Sequence, residues 1–103
     1  MAKYLLSKSA VADIEKIADY TISNFGLNQA RLYRDGLISC FQYLTERPEI
    51  GRPYLHKDAI LLLRYRCKAH IVFFKRTSAG ILIVRILGER MDFNRHLSSL
   101  NKL

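Results

Sequence analysis

No apolar stretch of this chain approaches the roughly 20 residues that a membrane-crossing helix needs, so nothing in it implies a membrane. The spacing patterns of common catalytic sites are missing too: there is no Gly-rich phosphate loop, no HExxH, no CxxC and no serine–histidine–aspartate arrangement. Neither a metal ion nor an organic cofactor is therefore expected. Cysteines number two, Cys40 and Cys67, without metal-ligand spacing. The opening MAKYLLSKSA has too short an apolar run for a secretory signal, and Asp13 and Glu15 follow at once. A cytoplasmic protein with two free, buried thiols is the expectation. Prolines also number two, Pro48 and Pro53, and they mark a break in regular structure.

What is present suits one domain spanning 1–103, since half the residues are apolar and a quarter are charged, the balance of a globular protein. Acid is scarce only in the second half. Before Arg47, the basic residues Lys3, Lys8, Lys16, Arg31 and Arg34 are matched by Asp13, Glu15, Asp19, Asp35 and Glu46. From Arg47 onward twelve Lys and Arg face only Glu49, Asp58, Glu89 and Asp92, so the whole net charge of +8 lies there. One face should be strongly positive, suited to an acidic protein, a nucleic acid, or an enzyme already holding one. The plainer reading is charge kept for solubility.

Along the chain, Lys3 to Leu6 is short and apolar enough for a first strand, and Ser7 can cap a helix. From Lys8 to about Asn24, Val11, Ile14, Ala18, Thr21, Ile22 and Phe25 recur at helical spacing and form one stripe. Gly26 ends this helix, and Asn28 is placed to cap the next. The second helix, Gln29 to about Glu46, carries Ala30, Tyr33, Leu37, Cys40, Phe41 and Leu44 on one side until Pro48 stops it. Gly51, Pro53 and the polar mix through Asp58 read as a loop. Three runs rich in branched and aromatic residues follow: Ile60 to Cys67, His70 to Arg76 and Ile81 to Leu87. Their short connections force antiparallel pairing. The fold class is α+β: a two-layer sandwich of order β-α-α-β-β-β, its helical hairpin covering one face of an antiparallel sheet that the first strand joins. Glu89 to Leu97 forms either a short terminal helix or an extended tail.

Alternation puts Arg64 and Arg66 with Leu62 on one face of their strand, opposite Leu61, Leu63, Tyr65 and Cys67. If the latter set is core, the arginines lie on the open face. Arg85 shares a face with Ile81, Ile83 and Leu87, so two arrangements fit: open to a partner, or partly buried against a carboxylate. His70, at a strand start, reads as a packed, hydrogen-bonded histidine rather than a base. Arg90, Met91 and Asp92 follow the last strand, and a flexible thioether between two charges suits an adaptable contact surface. The alternative has Met91 packed on the helices and Arg90 paired with Asp92 or Glu89. His56 is expected to be solvated, and Asp13 and Asp19 to be ordinary surface charges.

The pattern Leu6-Ser7, Ala10, Asp13-Ile14, Ile17, Tyr20-Thr21, Phe25-Gly26 and Gln29-Ala30 resembles the helical hairpin of ParE-type toxins. The likeness continues through Tyr33, Pro48, Gly51-Arg52, Arg64, His70 to Phe74, and the closing Val84 to Asp92, spanning roughly positions 4 to 97. Its most specific piece is the Arg-Ile-Leu-x-x-Arg-Met-Asp run. Many relatives carry His where this chain has Gly88 and Tyr where it has Phe74, so no role of those side chains carries over. The resemblance implies the toxin of a type II toxin–antitoxin module, a non-catalytic protein that binds and inhibits DNA gyrase. It also implies a ParD-like antitoxin whose disordered C-terminal segment folds onto the apolar groove of the hairpin. Arg52, Arg64, Arg85, Arg90, Met91 and His96 are the candidates for target contact, with Arg66, His70 and Asp92 in structural or secondary roles. The fold is shared with RelE-type toxins, which cut messenger RNA on the ribosome, so fold alone does not settle function. Those nucleases typically place Tyr or His directly after the last strand, where this chain reads Glu89-Arg90-Met91-Asp92-Phe93. A degenerate toxin that only binds its antitoxin is the third class.

Overall fold

In the computed structural model, residues 3–55 and 61–97 are described. The first strand, β1 (Lys3–Leu6), leads directly into α1 (Lys8–Phe25), which Ser7 starts. The Ser7 hydroxyl accepts the Ala10 amide at 3.0 Å and donates to the Val84 carbonyl at 2.8 Å. One side chain thus caps a helix and ties it to the sheet. Gly26, with φ of 90°, donates its N–H to the Ile22 carbonyl, and its own carbonyl accepts the Ala30 amide. Because it closes α1 and opens α2 (Leu27–Glu46), Asn28 lies inside the second helix and is not its cap.

After a 3₁₀ turn at Pro48–Ile50, a strand absent from the expected order appears: β2 (Arg52–Leu55), paired antiparallel with β3 (Leu61–Cys67). Pro53 is tolerated because β2 is an edge strand, where a missing amide costs no ladder bond. β3, β4 (His70–Thr77) and β5 (Gly80–Gly88) form the expected meander, and the sheet order is β1-β5-β4-β3-β2. β1 pairs with β5 in parallel, so the sheet is mostly rather than wholly antiparallel. Gly80, with φ of 152°, permits that pairing, since any Cβ there would strike the Lys3 backbone. His56 and Ile60, read above as solvated loop and strand start, lie outside the described residues.

Two cores sandwich the sheet. On the helix side, Ala10, Leu37, Phe41, Leu44, Val72, Phe74, Ile81, Ile83 and Ile86 pack together. On the other, Leu62, Phe73, Val84 and Leu87 gather under Leu97 of a short helix, α3 (Phe93–Leu97), which resolves the terminal segment as helical. Each large side chain removed from water contributes about 1.5–3 kcal/mol. A bulge in β5 decides which residue faces which core. Phe73 lies opposite Arg85 and Phe74 opposite Ile83, leaving Val84 as the extra residue. Ile81 and Ile83 therefore face the helices while Leu87 faces away, and the single face expected for Ile81, Ile83, Arg85 and Leu87 does not exist.

Two further expectations are corrected. Cys40 of α2 and Cys67 at the end of β3 are joined in a disulfide, with Cα atoms 6.1 Å apart, and are not free thiols. The buried stripe of α1 runs through Ala10, Asp13 and Thr21, with Ile14 and Ile17 beside it. Val11, Ile22 and Phe25, placed on that stripe above, are exposed. The α2 stripe is as expected: Ala30, Leu37, Phe41 and Leu44 are buried, with Tyr33 and Cys40 partly so. Among the described residues no helix is long and apolar enough to cross a membrane.

Candidate functional site

The sheet face away from α1 and α2 collects arginines. Arg52 of β2 lies directly opposite Arg64 of β3, and Arg66 stands two residues further on the same face. They line a concavity of about 520 Å³ whose walls include Ile71, Glu89 and Phe93. Tyr54 supports this wall, with the Arg64 guanidinium 5.5 Å from its ring centroid. The Tyr54 ring packs edge-on against Phe73 and Phe93, and its hydroxyl donates to Asn94 Oδ1 at 3.1 Å. Arg66 reaches Glu89 at 3.0 Å and gives its Nε–H to the Lys68 carbonyl. Both Arg66 and Glu89 are more than half exposed, so solvent weakens their attraction. Tyr65 also borders the concavity, but its ring packs into the helix-side core.

Arg85 is elsewhere. Its Nε and Nη2 donate to the two Asp13 oxygens at 2.8 and 2.9 Å, and its Nη1 donates to the His96 carbonyl at 2.8 Å. With 11% and 7% of the two side chains exposed, the carboxylate-paired arrangement is the one the fold adopts. Asp13 is accordingly no surface charge; Asp19 is exposed, as expected.

The segment after β5 turns back on itself. Gly88 gives its N–H to Met91 Sδ at 3.1 Å, and Asp92 Oδ1 accepts the Arg95 amide at 3.2 Å at the start of α3. Met91 thereby faces α1 across a smaller, mostly apolar cleft of about 230 Å³ shared with Ile17, Tyr20, His70 and Ile86. Arg90 is exposed and has no ionic partner among the described residues. Of the nine residues singled out, Arg52, Arg64 and Arg66 come together; Arg90 and Met91 sit beyond the end of β5; His96 and Arg85 are joined inside.

His70 pairs with a residue that sequence reasoning assigned only to the core. Tyr33 Oη lies 2.6 Å from His70 Nδ1 and accepts the Ala69 amide at 3.1 Å. The 2.6 Å contact is a single hydrogen bond between hydroxyl and ring nitrogen, its direction set by the imidazole tautomer. Burial pushes the His70 pKa down against the opposing pull of Asp13, and burial raises that of Tyr33 against Ala69 and Arg66. Both groups are thus neutral, and the pair clamps α2 to the β3–β4 turn. Asp13 had a signal in the sequence: it lies three residues after Ala10 and four before Ile17, on the buried side. Tyr54, in a stretch read as loop, had none.

A family model described as the ParE toxin of the type II toxin–antitoxin system parDE matches residues 4–93. The chain belongs to the ParE toxin family. Toxin ParE1 of Mycobacterium tuberculosis is 33% identical to this ParE-family chain over 99 residues, covering 93% of this chain and 98% of its own length. Toxin ParE1 of Caulobacter vibrioides is 33% identical over 100 residues, covering 94% and 99%. Among solved structures, the chromosomal ParDE toxin–antitoxin system from P. aeruginosa contains a chain that superposes with a TM-score of 0.72. That match covers 85% of this chain and 96% of the other at 18% identity, a likeness of fold.

Proposed function

We propose that this ParE toxin is a non-catalytic cytoplasmic inhibitor of DNA gyrase, neutralised by a ParD-like antitoxin. The observation that carries the reading is the arginine face, with Arg52 and Arg66 exposed and Arg64 half-buried around one concavity; Arg90 and Met91 are exposed in the segment after β5. Such a surface meets an enzyme loaded with DNA through its positive field and a few anchors. Arg85 and His96 serve it indirectly, by fixing α3 to α1 and β5. For the antitoxin, the support is the parDE family model and the apolar side chains left on the hairpin. Tyr20, Phe25, Leu27 and Leu32 are each more than half exposed, a surface that suits a segment folding on contact.

The test is a supercoiling assay with purified gyrase, run beside a translation reaction. Supercoiling is expected to fall and translation to continue, with antitoxin restoring the first. An Arg90→Ala/Met91→Ala chain that still binds antitoxin should inhibit gyrase more weakly. Cut transcripts with intact supercoiling would replace this reading with the RelE-like one, and no effect on either would leave an antitoxin-binding protein only.

A further inference from the structure

We propose that the concavity between β2, β3 and the segment after β5 is a binding site for the phosphodiester backbone of DNA, and that Glu89 occupies it as an internal stand-in for phosphate. Arg52 and Arg64 oppose each other across two strands, about 5 Å apart at their Cβ atoms. Like charges so placed weaken a sheet, and among the described residues neither has a carboxylate partner. Arg66 follows about 7 Å along β3 by strand geometry. Among the described residues its partner Glu89 is the only acidic one on the wall, and that contact is solvent-exposed and exchangeable. Three uncompensated or loosely compensated guanidiniums therefore point into one concavity.

The ligand chemistry follows from the residue types. All three cations are arginines, whose planar forks hold phosphate oxygens in pairs, as the compact lysine ammonium does not. Arg64 is steadied over the Tyr54 ring, and Phe93 lines the same wall. A nucleic acid brings both phosphates for the forks and flat bases for the rings, whereas an acidic peptide uses only the former. The proposal deepens the gyrase reading and rests on it only for which nucleic acid is met, a DNA segment held by the target.

The decisive measurement is fluorescence polarisation of the full chain with a labelled DNA single strand and with its duplex, titrated in salt without gyrase. Three phosphate contacts give a slope of log affinity against log salt of about −2 for the single strand and about −3 for the duplex. Arg64→Ala, and separately Arg52→Ala on the edge strand, should each weaken binding about tenfold and flatten the slope by about 1. Glu89→Gln should tighten binding several-fold, a gain that no loss of structure imitates. Absence of binding, or binding indifferent to Glu89→Gln and both arginine variants, overturns the proposal. So does equal displacement by poly-glutamate of matched charge, which marks a surface for acidic protein. Gyrase inhibition is read in parallel on the same proteins. Inhibition without DNA binding removes this site and keeps the gyrase reading, while DNA binding through these residues without inhibition does the reverse.

Discussion

Asp13 sits where β1 has run out. The last register pair of that strand is Leu6 with Ile83, so among the described residues the edge of β5 beyond it has no neighbouring strand. Asp13 Oδ2 takes the Ile86 amide at 2.9 Å in place of a strand carbonyl, while both oxygens hold Arg85. Removing one member of a buried pair leaves the other charge desolvated and alone. Asp13→Ala should therefore cost about 3–5 kcal/mol in urea unfolding, and a loss below about 1 kcal/mol would mean the bridge is not a keystone. His70 gives a pH signature. Its native pKa lies below the ordinary 6.5 because burial disfavours the cation. As pH drops through 6.5, the unfolded chain takes up a proton that the native imidazole refuses, so stability falls until the lowered native value is reached. Urea midpoints should decline over that window in the parent and decline less in His70→Gln; parallel curves would assign the slope to other groups.

The elements that sequence periodicity found are those whose side chains follow one simple period. In α2, Ala30, Leu37, Phe41 and Leu44 obey the helical repeat, while along β3 and β4 successive side chains turn to opposite cores, Val72 and Phe74 to one and Phe73 to the other. The departures have separate physical causes. β2 is four residues long, contains a proline and gains strand character only from its pairing with β3. The bulge at Val84 reverses the facing of β5 midway, a change of register that no alternation rule anticipates. In α1 the true stripe includes a carboxylate, which a hydropathy reading passes over. The disulfide arises because α2 packs Cys40 onto the end of β3, 27 residues away in sequence. Closing a loop of that length contributes about 3.5 kcal/mol. Reductant should lower the melting temperature of the parent to that of Cys40→Ser, and coinciding melts with and without reductant would remove the bridge from the stability of the fold.

At the scale of the molecule, charge asymmetry along the chain becomes asymmetry in space. The neutral first half supplies both long helices, and the basic second half supplies four of the five strands. The positive field consequently belongs to the sheet. The sequence by itself determined the α+β class, the helical hairpin, the meander and the basic character of the second half, because each is written in local composition and repeat. Only the tertiary structure decided that Arg52 meets Arg64 and Arg66 around one concavity, and that Arg85 turns inward to Asp13. Those outcomes depend on strand register, a bulge and the docking of α1 beside a vacated sheet edge. Each is a long-range geometric relation that neighbouring residues cannot encode.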